Sequence, residues 1–278
     1  MEVVGVGIVA IDVIHEVAAF PKGATAAMIN ARGCPSEMQV VAAQLGCVCH
    51  WVGTTTDPKN DVEAAFVHTE LEKFRVDCST STILSRGSMP VSYILASRAT
   101  GSRTIIHSRD LEELSVRDFK LATERLFVGC RKDANSSEEE AKPLWFHFEG
   151  RNMEAVLEMM QFIREQAPNV KISVEIEALR YDWKLAKRLA MAADYVFASK
   201  DYIRDNLSYE DATSFLEAEF KANKPIEGMQ LKAVICPWGA DGVHFLQLNS
   251  ESDVQRIATK HLDHVVESIG AGDTFIGA

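Results

Sequence analysis

An α/β fold built on a mainly parallel sheet is what this sequence predicts, and three observations predict it. Short apolar runs of strand length, such as Val3–Val9, Leu144–Phe148, Val170–Ile176 and Ala233–Cys236, read as strands buried on both faces. Segments of helical period fall between them: Met153, Val156, Leu157, Met160 and Ile163 recur at the spacing of one helix face. Strand and helix alternate along the chain, the order that a parallel sheet with helices on both faces requires.

The elements follow in order. Val3–Val9 opens the chain as a buried strand, and the apolar run continues through Ile11. Glu37–Leu45 is predicted helical, Val48–Val52 a short strand and Asp61–Phe74 a polar-faced helix. Val91–Ala96 and Thr104–His107 flank the Thr100-Gly101-Ser102 turn, which predicts a hairpin. These strands are too short and polar for the main sheet and fit a small projecting β element. Arg131–Lys142 is charged and poor in apolar residues, so it reads as a solvated loop. After the 153–163 helix come a helix at Trp183–Met191, a strand at Tyr195–Ala198, a helix at Tyr209–Phe220 and strands at Ala233–Cys236 and Val243–Leu248.

The 278 residues carry a net charge of −11, which disfavours nucleic acid and anionic lipid as partners. No apolar run is long enough to span a membrane. The start, Met1-Glu2-Val3-Val4, has no basic leader region, so a cytoplasmic location is expected. The cysteines at 34, 47, 49, 78, 130 and 236 form no C-x-x-C pair and read as reduced thiols, and no metal-ligating residues are assigned.

The segment Gly270-Ala271-Gly272-Asp273-Thr274-Phe275 is a small-residue turn opening into a helix. Such a turn offers backbone N–H groups and the positive end of a helix dipole to a phosphate or a developing anion. Asp273 sits in the same turn, where a carboxylate can take a proton from a hydroxyl nucleophile. An anion cradle beside a base is what phosphoryl transfer to an alcohol needs. Other candidates are weaker taken singly. Asp12 comes one step after the Val3–Ile11 run, as a cap or as a carboxylate gripping substrate hydroxyls. Gly239-Ala240-Asp241-Gly242 is a hairpin turn or a loop against which a nucleotide can lie. Arg103 is a surface arginine or a phosphate contact. Gly5-Val6-Gly7-Ile8-Val9-Ala10 matches a dinucleotide fingerprint in letters only, because no helix opens within it.

Taken together these pieces resemble the ribokinase (PfkB) family of sugar kinases. The family signature Asp-Thr-x-Gly-Ala-Gly-Asp-Thr-Phe is matched by Glu267-Ser268-Ile269-Gly270-Ala271-Gly272-Asp273-Thr274-Phe275. Gly7–Asp12, Gly101-Ser102-Arg103-Thr104 and Gly239–Gly242 follow the family's order. Trp145-Phe146-His147-Phe148-Glu149-Gly150-Arg151-Asn152, Ser173–Glu177 and Val196–Asp201 are similar to the ketohexokinase branch. The resemblance covers essentially the whole chain. It implies a three-layer α/β/α domain over residues 1–278, with a small β-sheet lid drawn from roughly 13–33 and 88–108.

The resemblance also implies roles. Asp273 is the base, and the amides of Gly270, Ala271, Gly272 and Asp273 form the anion hole. Asp12 and Gly33 contact the sugar, Arg103 the nucleotide phosphates, and Gly239, Ala240, Asp241 and Gly242 the nucleotide. The cosubstrate is ATP with Mg²⁺ as counterion, the acceptor the 1-hydroxyl of fructose, and a homodimer through the lid is expected. Two departures stand out. The two asparagines of the family's sugar loop fall on Cys34 and Glu37, a poor donor and an acceptor-only group. The helix behind the anion hole has only Thr274–Ala278, and a truncated C-terminus is expected. A kinase for another sugar or a nucleoside, and a catalytically impaired relative that retains the fold as a binding protein, remain as alternatives.

Overall fold

A computed structural model describes residues 1–21, 28–33, 38–100, 102–127, 143–177, 181–222, 230–248, 253–260 and 270–278. In chain order its elements are β1 (Glu2–Val6), β2 (Ile11–Val17), β3 (Met28–Gly33), α1 (Met38–Gln44), β4 (Val48–Val52), β5 (Thr54–Thr55), α2 (Val62–Lys73), β6 (Val76–Asp77), β7 (Thr82–Ile83), β8 (Val91–Ser97) and β9 (Arg103–Ser108). There follow α3 (Val116–Thr123), β10 (Leu144–Phe148), α4 (Met153–Gln166), β11 (Lys171–Ile176), α5 (Trp183–Ala192), β12 (Tyr195–Ala198), α6 (Ala212–Leu216), β13 (Ala233–Pro237), β14 (Val243–Gln247), β15 (Gln255–Ile257) and α7 (Ala271–Gly277). The chain divides into two compact units, Met1–Val6 with Ser115–Glu267, and Gly7–Leu114 with Ser268–Ala278.

In the first unit the strands run in the order β15-β14-β13-β12-β11-β10-β1. β1, β10, β11, β12 and β13 are mutually parallel, and β14 and β15 add antiparallel to the edge. The continuous apolar runs are explained by burial: Val4, Phe146, Phe148, Ile172, Val174, Ile176, Val196 and Val234 are all fully buried. Phe119 of α3 meets Phe146 and Phe148 of β10 edge-on or tilted, and α3, α4 and α5 pack in succession. Beneath them Asp194, 2% exposed, accepts from Arg164 Nη2 at 2.6 Å and from the Ile172 amide at 2.8 Å, with Lys232 Nζ at 3.1 Å. A buried carboxylate so satisfied ties α4, β11 and the approach to β13 together.

The segment Trp145–Asn152 is explained by a buried network. Trp145 Nε1 donates to Ser173 Oγ at 2.7 Å, and His147 lies 2.8 Å from both Ser173 Oγ and Glu175 Oε1. Glu175 can only accept when ionised, so His147 Nε2 carries the proton, and the Ser173 hydroxyl donates to Nδ1. At Gly150 a Cβ would stand 2.1 Å from the Glu175 carbonyl, so the turn after β10 has room only for glycine.

In the second unit the four strands β3-β2-β8-β9 form a small separate sheet, β2 antiparallel to β3, parallel to β8, and β8 antiparallel to β9. β4 pairs with β6 and β5 with β7, both parallel. Helix α2 starts at Asp61, whose side chain accepts from the Glu63 and Ala64 amides. Helix α7 packs on α1 so closely that a Cβ at Gly277 would lie 2.6 Å from the Met38 carbonyl oxygen and 2.7 Å from Val41 Cβ.

Three expectations change. The Val3–Ile11 run is not one strand: β1 ends at Val6, and β2 begins at Ile11 in a different sheet. Both strands and the connecting Val9 are buried, so the apolar run continues across a break that hydrophobicity cannot register. Asp12 is therefore the second residue of a strand rather than the residue after one. The helix at 209–220 begins only at Ala212, because the Asp211 side chain caps it by accepting from the Ser214 amide at 2.9 Å, and its last turn widens at Glu217–Lys221. The loop at 131–142 lies outside the described residues.

Candidate active site

Asp12 on β2 stands in register with Gly33 on β3 and with Ser92 on β8, and Ser92 stands in register with His107 on β9. Partners in register project to the same face of a sheet, so Asp12, Ser92 and His107 form one row. Asp12 and Ser92 are each 8% exposed. Burial holds the Asp12 carboxyl above its usual pKa, against the opposing pull of the neighbouring Ser92 hydroxyl and of the charges of His107 and Arg103. Ser92 Oγ lies 3.1 Å from His107 Nδ1. Arg103 opens β9 on the same face, since it stands four residues before His107 and strands repeat every second residue. The structure thus brings Asp12, the Gly33 backbone and Arg103 into one sheet. Cys34, Glu37 and Gly101 lie outside the described residues.

The Gly270-Ala271-Gly272-Asp273 turn opens α7 as the sequence predicts. Gly270 caps the helix at φ +73°, a left-handed conformation suited to glycine, and its carbonyl accepts both the amide and the hydroxyl of Thr274, at 2.9 and 2.8 Å. Asp273 lies in the first turn. As at any helix start, the amides of Ala271 and Gly272 have no carbonyl four residues back to bond within the helix. A Cβ at Gly272 would meet no atom within 4 Å, so open space borders this backbone. A turn with that donor set fits an anionic group.

Gly239–Gly242 lies in the other unit and joins antiparallel β13 and β14, so it is a hairpin turn in its geometry. It is held from several sides. The Asp241 carboxylate accepts from Arg256 Nη2 at 2.6 Å and lies 2.9 Å from His244 Nε2. Arg256 Nε donates to the Asp241 carbonyl and Thr259 Oγ1 to the Ala240 carbonyl, each at 2.8 Å. Gly242, at φ +103°, is a glycine for reasons of the fold: a Cβ there would sit 2.1 Å from the Ile257 carbonyl oxygen.

Several residues at these places were not singled out from sequence. Ser92 carries no local signal, because its importance comes from its neighbours on two other strands. His107 was within reach: it stands an even number of residues from Arg103 on a predicted strand. His244 and Arg256 hold the 239–242 turn from β14 and β15, and β15 itself has no recognisable strand pattern. Burial disfavours the reactive thiolate at Cys49, Cys78 and Cys236. Burial raises Cys49 and Cys78 to about 12, and Cys236, fully buried, is raised further.

No model of a known protein family matches the chain. It is 27% identical to ketohexokinase of Mus musculus over 286 aligned residues, covering 99% of this chain and 86% of the mouse protein. Among solved structures it is similar to ribokinase from Giardia lamblia, with a TM-score of 0.75 at 16% identity, over 99% of this chain and 81% of that one. It is also similar to ribokinase from Cryptococcus neoformans in complex with ADP, with a TM-score of 0.67 at 14% identity, over 99% and 85% of the two chains. The architecture is that of the ribokinase fold.

Proposed function

We propose that this chain, a homologue of ketohexokinase with the ribokinase fold, is an ATP-dependent sugar kinase that phosphorylates the 1-hydroxyl of fructose. In this reaction Asp273 takes the hydroxyl proton as the sugar oxygen bonds to the γ-phosphorus of ATP. The bond to the β–γ bridging oxygen breaks and ADP leaves. The amides of Gly270, Ala271, Gly272 and Asp273 hold the charge that develops on the transferring group. Arg103 contacts the phosphates, Asp12, Gly33, Cys34 and Glu37 bind the sugar, and Gly239, Ala240, Asp241 and Gly242 line the nucleotide. Mg²⁺ brought in with ATP would supply positive charge to the phosphate oxygens.

We also place all 278 residues in one kinase domain, with β2, β3, β8 and β9 as its lid, a homodimer formed through that lid, and the protein in the cytoplasm. Among the described residues no helix is long and apolar enough to cross a membrane.

The observation that supports the reading most is the Gly270–Asp273 turn, in a chain that matches ketohexokinase along 99% of its length. The test is ADP release by the purified protein with ATP and Mg²⁺, offered fructose, ribose, other sugars, a nucleoside or no acceptor. Sugar-dependent release that disappears in Asp273→Asn supports it. A folded protein that binds ATP yet releases no ADP with any acceptor overturns it. Cys34 and Glu37 favour a second reading, a binding protein that has lost turnover, because a site built for hydroxyls discriminates poorly once its partners are replaced. Restoring asparagine at both positions separates the two: gain of fructose-dependent turnover assigns the loss to that loop.

A further inference from the structure

Asp12 is one of three polar side chains in a row across the small sheet, with Ser92 and His107. Ser92 is buried at 8% exposure between Asp12 and His107. Its hydroxyl has one proton to give. Asp12 stands beside Ser92 in register and, when ionised, can only accept, so a proton given along the row goes to the carboxylate. The Ser92 oxygen is then left to accept from His107 Nδ1, 3.1 Å away. The donors then run in one direction, from the imidazole through the hydroxyl to the carboxylate, across the β8–β9 hairpin to the sequence-distant strand β2.

We propose that Ser92 and His107 are positioning and specificity-determining residues for Asp12. Ser92 occupies one acceptor position of the carboxylate, fixes its rotamer and leaves the remaining lone pairs aimed at the hydroxyls of the acceptor. His107 fixes the direction of the Ser92 proton. The consequence is a carboxylate held in one orientation in a site where burial opposes its ionisation. The charged groups that face it are His107 and Arg103 from β9. From β8 it meets the neutral Ser92, and on β3 it stands opposite the Gly33 backbone. An acceptor with adjacent hydroxyls suits such a carboxylate, and one lacking a hydroxyl at that position is rejected, because a buried acceptor is left unpaired. This inference rests on the reading of Asp12 as a substrate-gripping residue.

The test has a kinetic arm and an arm that needs no turnover. In the kinetic arm, Ser92→Ala is expected to raise the KM for the best sugar roughly tenfold, with kcat within about twofold of the parent. The acid limb of its kcat/KM profile moves to higher pH, since the ionised carboxylate has lost its donor. Ser92→Thr, which keeps the hydroxyl, and His107→Asn, which keeps a donor near the Nδ1 position, hold KM within about threefold, whereas His107→Phe behaves like Ser92→Ala. Thermal melting of each variant checks that the fold is intact. In the second arm, the His107 imidazole is titrated by NMR in the protein without ligands. Its pKa is expected to fall in Asp12→Asn, which removes the charge at the far end of the row, and to move in Ser92→Ala.

An unchanged sugar KM and pH profile in folded Ser92→Ala overturns the proposal, as does a His107 titration indifferent to both substitutions. Should the parent protein release no ADP with any acceptor, the kinase reading falls, and the NMR titration alone then decides whether the row exists as a coupled unit.

Discussion

Asp273→Asn is the substitution with the sharpest expected outcome. On the proposed role of Asp273 as base, it removes the proton acceptor while leaving the backbone amides of the turn in place, so turnover falls by about 10²–10⁴ with ATP binding retained, as measured by ADP release and nucleotide titration. Asp194 makes a different prediction, about stability. Its burial favours the protonated form, but Arg164, the Ile172 amide and Lys232 outweigh this and hold its pKa below the usual 3.8. A carboxyl depressed in the folded state stabilises the protein at every pH above its unfolded value and loses that contribution as pH falls through the folded value. Asp194→Ala is expected to lose about 3 kcal/mol near neutrality by leaving Arg164 and Lys232 without their shared anion. Urea melts of parent and Asp194→Asn should converge below pH 3.8. Residues of this kind differ in how far sequence reveals them. Asp273 is legible because its whole setting is local, a glycine turn and a helix start within six residues. Asp194 is not, since its partners stand at positions 164, 172 and 232.

At the scale of elements, two glycines make the packing testable. Gly242→Ala forces a Cβ against the Ile257 carbonyl, with left-handed strain added, and should detach β15 from β14. If the 239–242 turn lines the nucleotide, Gly242→Ala and Arg256→Ala both raise the KM for ATP several-fold and leave the sugar KM unchanged, a split that steady-state kinetics resolves. Gly277→Ala presses a methyl group into the Met38 carbonyl and Val41, which overpacks the α1–α7 contact. A loss of about 1–3 kcal/mol in melting experiments is expected. Neither glycine was assigned this role from sequence, where Gly242 reads only as part of a loop. Helices and strands with strong local signals were legible: β4, β10 and β12 match their predicted bounds, and α2 lies between its predicted ends. Those missed have causes. Ser115 caps α3 by accepting from the Asp118 amide, and its hydroxyl donates to the Asp118 carboxylate, a recognisable start, but the helix runs only eight residues. β15 is three exposed residues held by its neighbour.

For the molecule as a whole, protection from hydrogen exchange should follow burial within each unit. All six residues of β9 are exposed, whereas β10, β11 and β12 carry a fully buried apolar core. Mass-spectrometric exchange is expected to label the amides of β9 well before those of β10 to β12. The sequence by itself determined the fold class, the mainly parallel sheet and the glycine–aspartate turn at the head of a helix. Each of these is written in composition, period or contiguous spacing, and so survives without knowledge of what lies across from it. Only the tertiary structure decided that Asp12 belongs to a strand of the small sheet and that Ser92 and His107 stand beside it. It alone showed that Gly242 serves the fold and that His244 and Arg256 hold the 239–242 turn. Strand register is the physical reason: the parallel pairing of β2 with β8 joins residues 12 and 92 across some eighty positions of chain, and no local pattern encodes that they will meet.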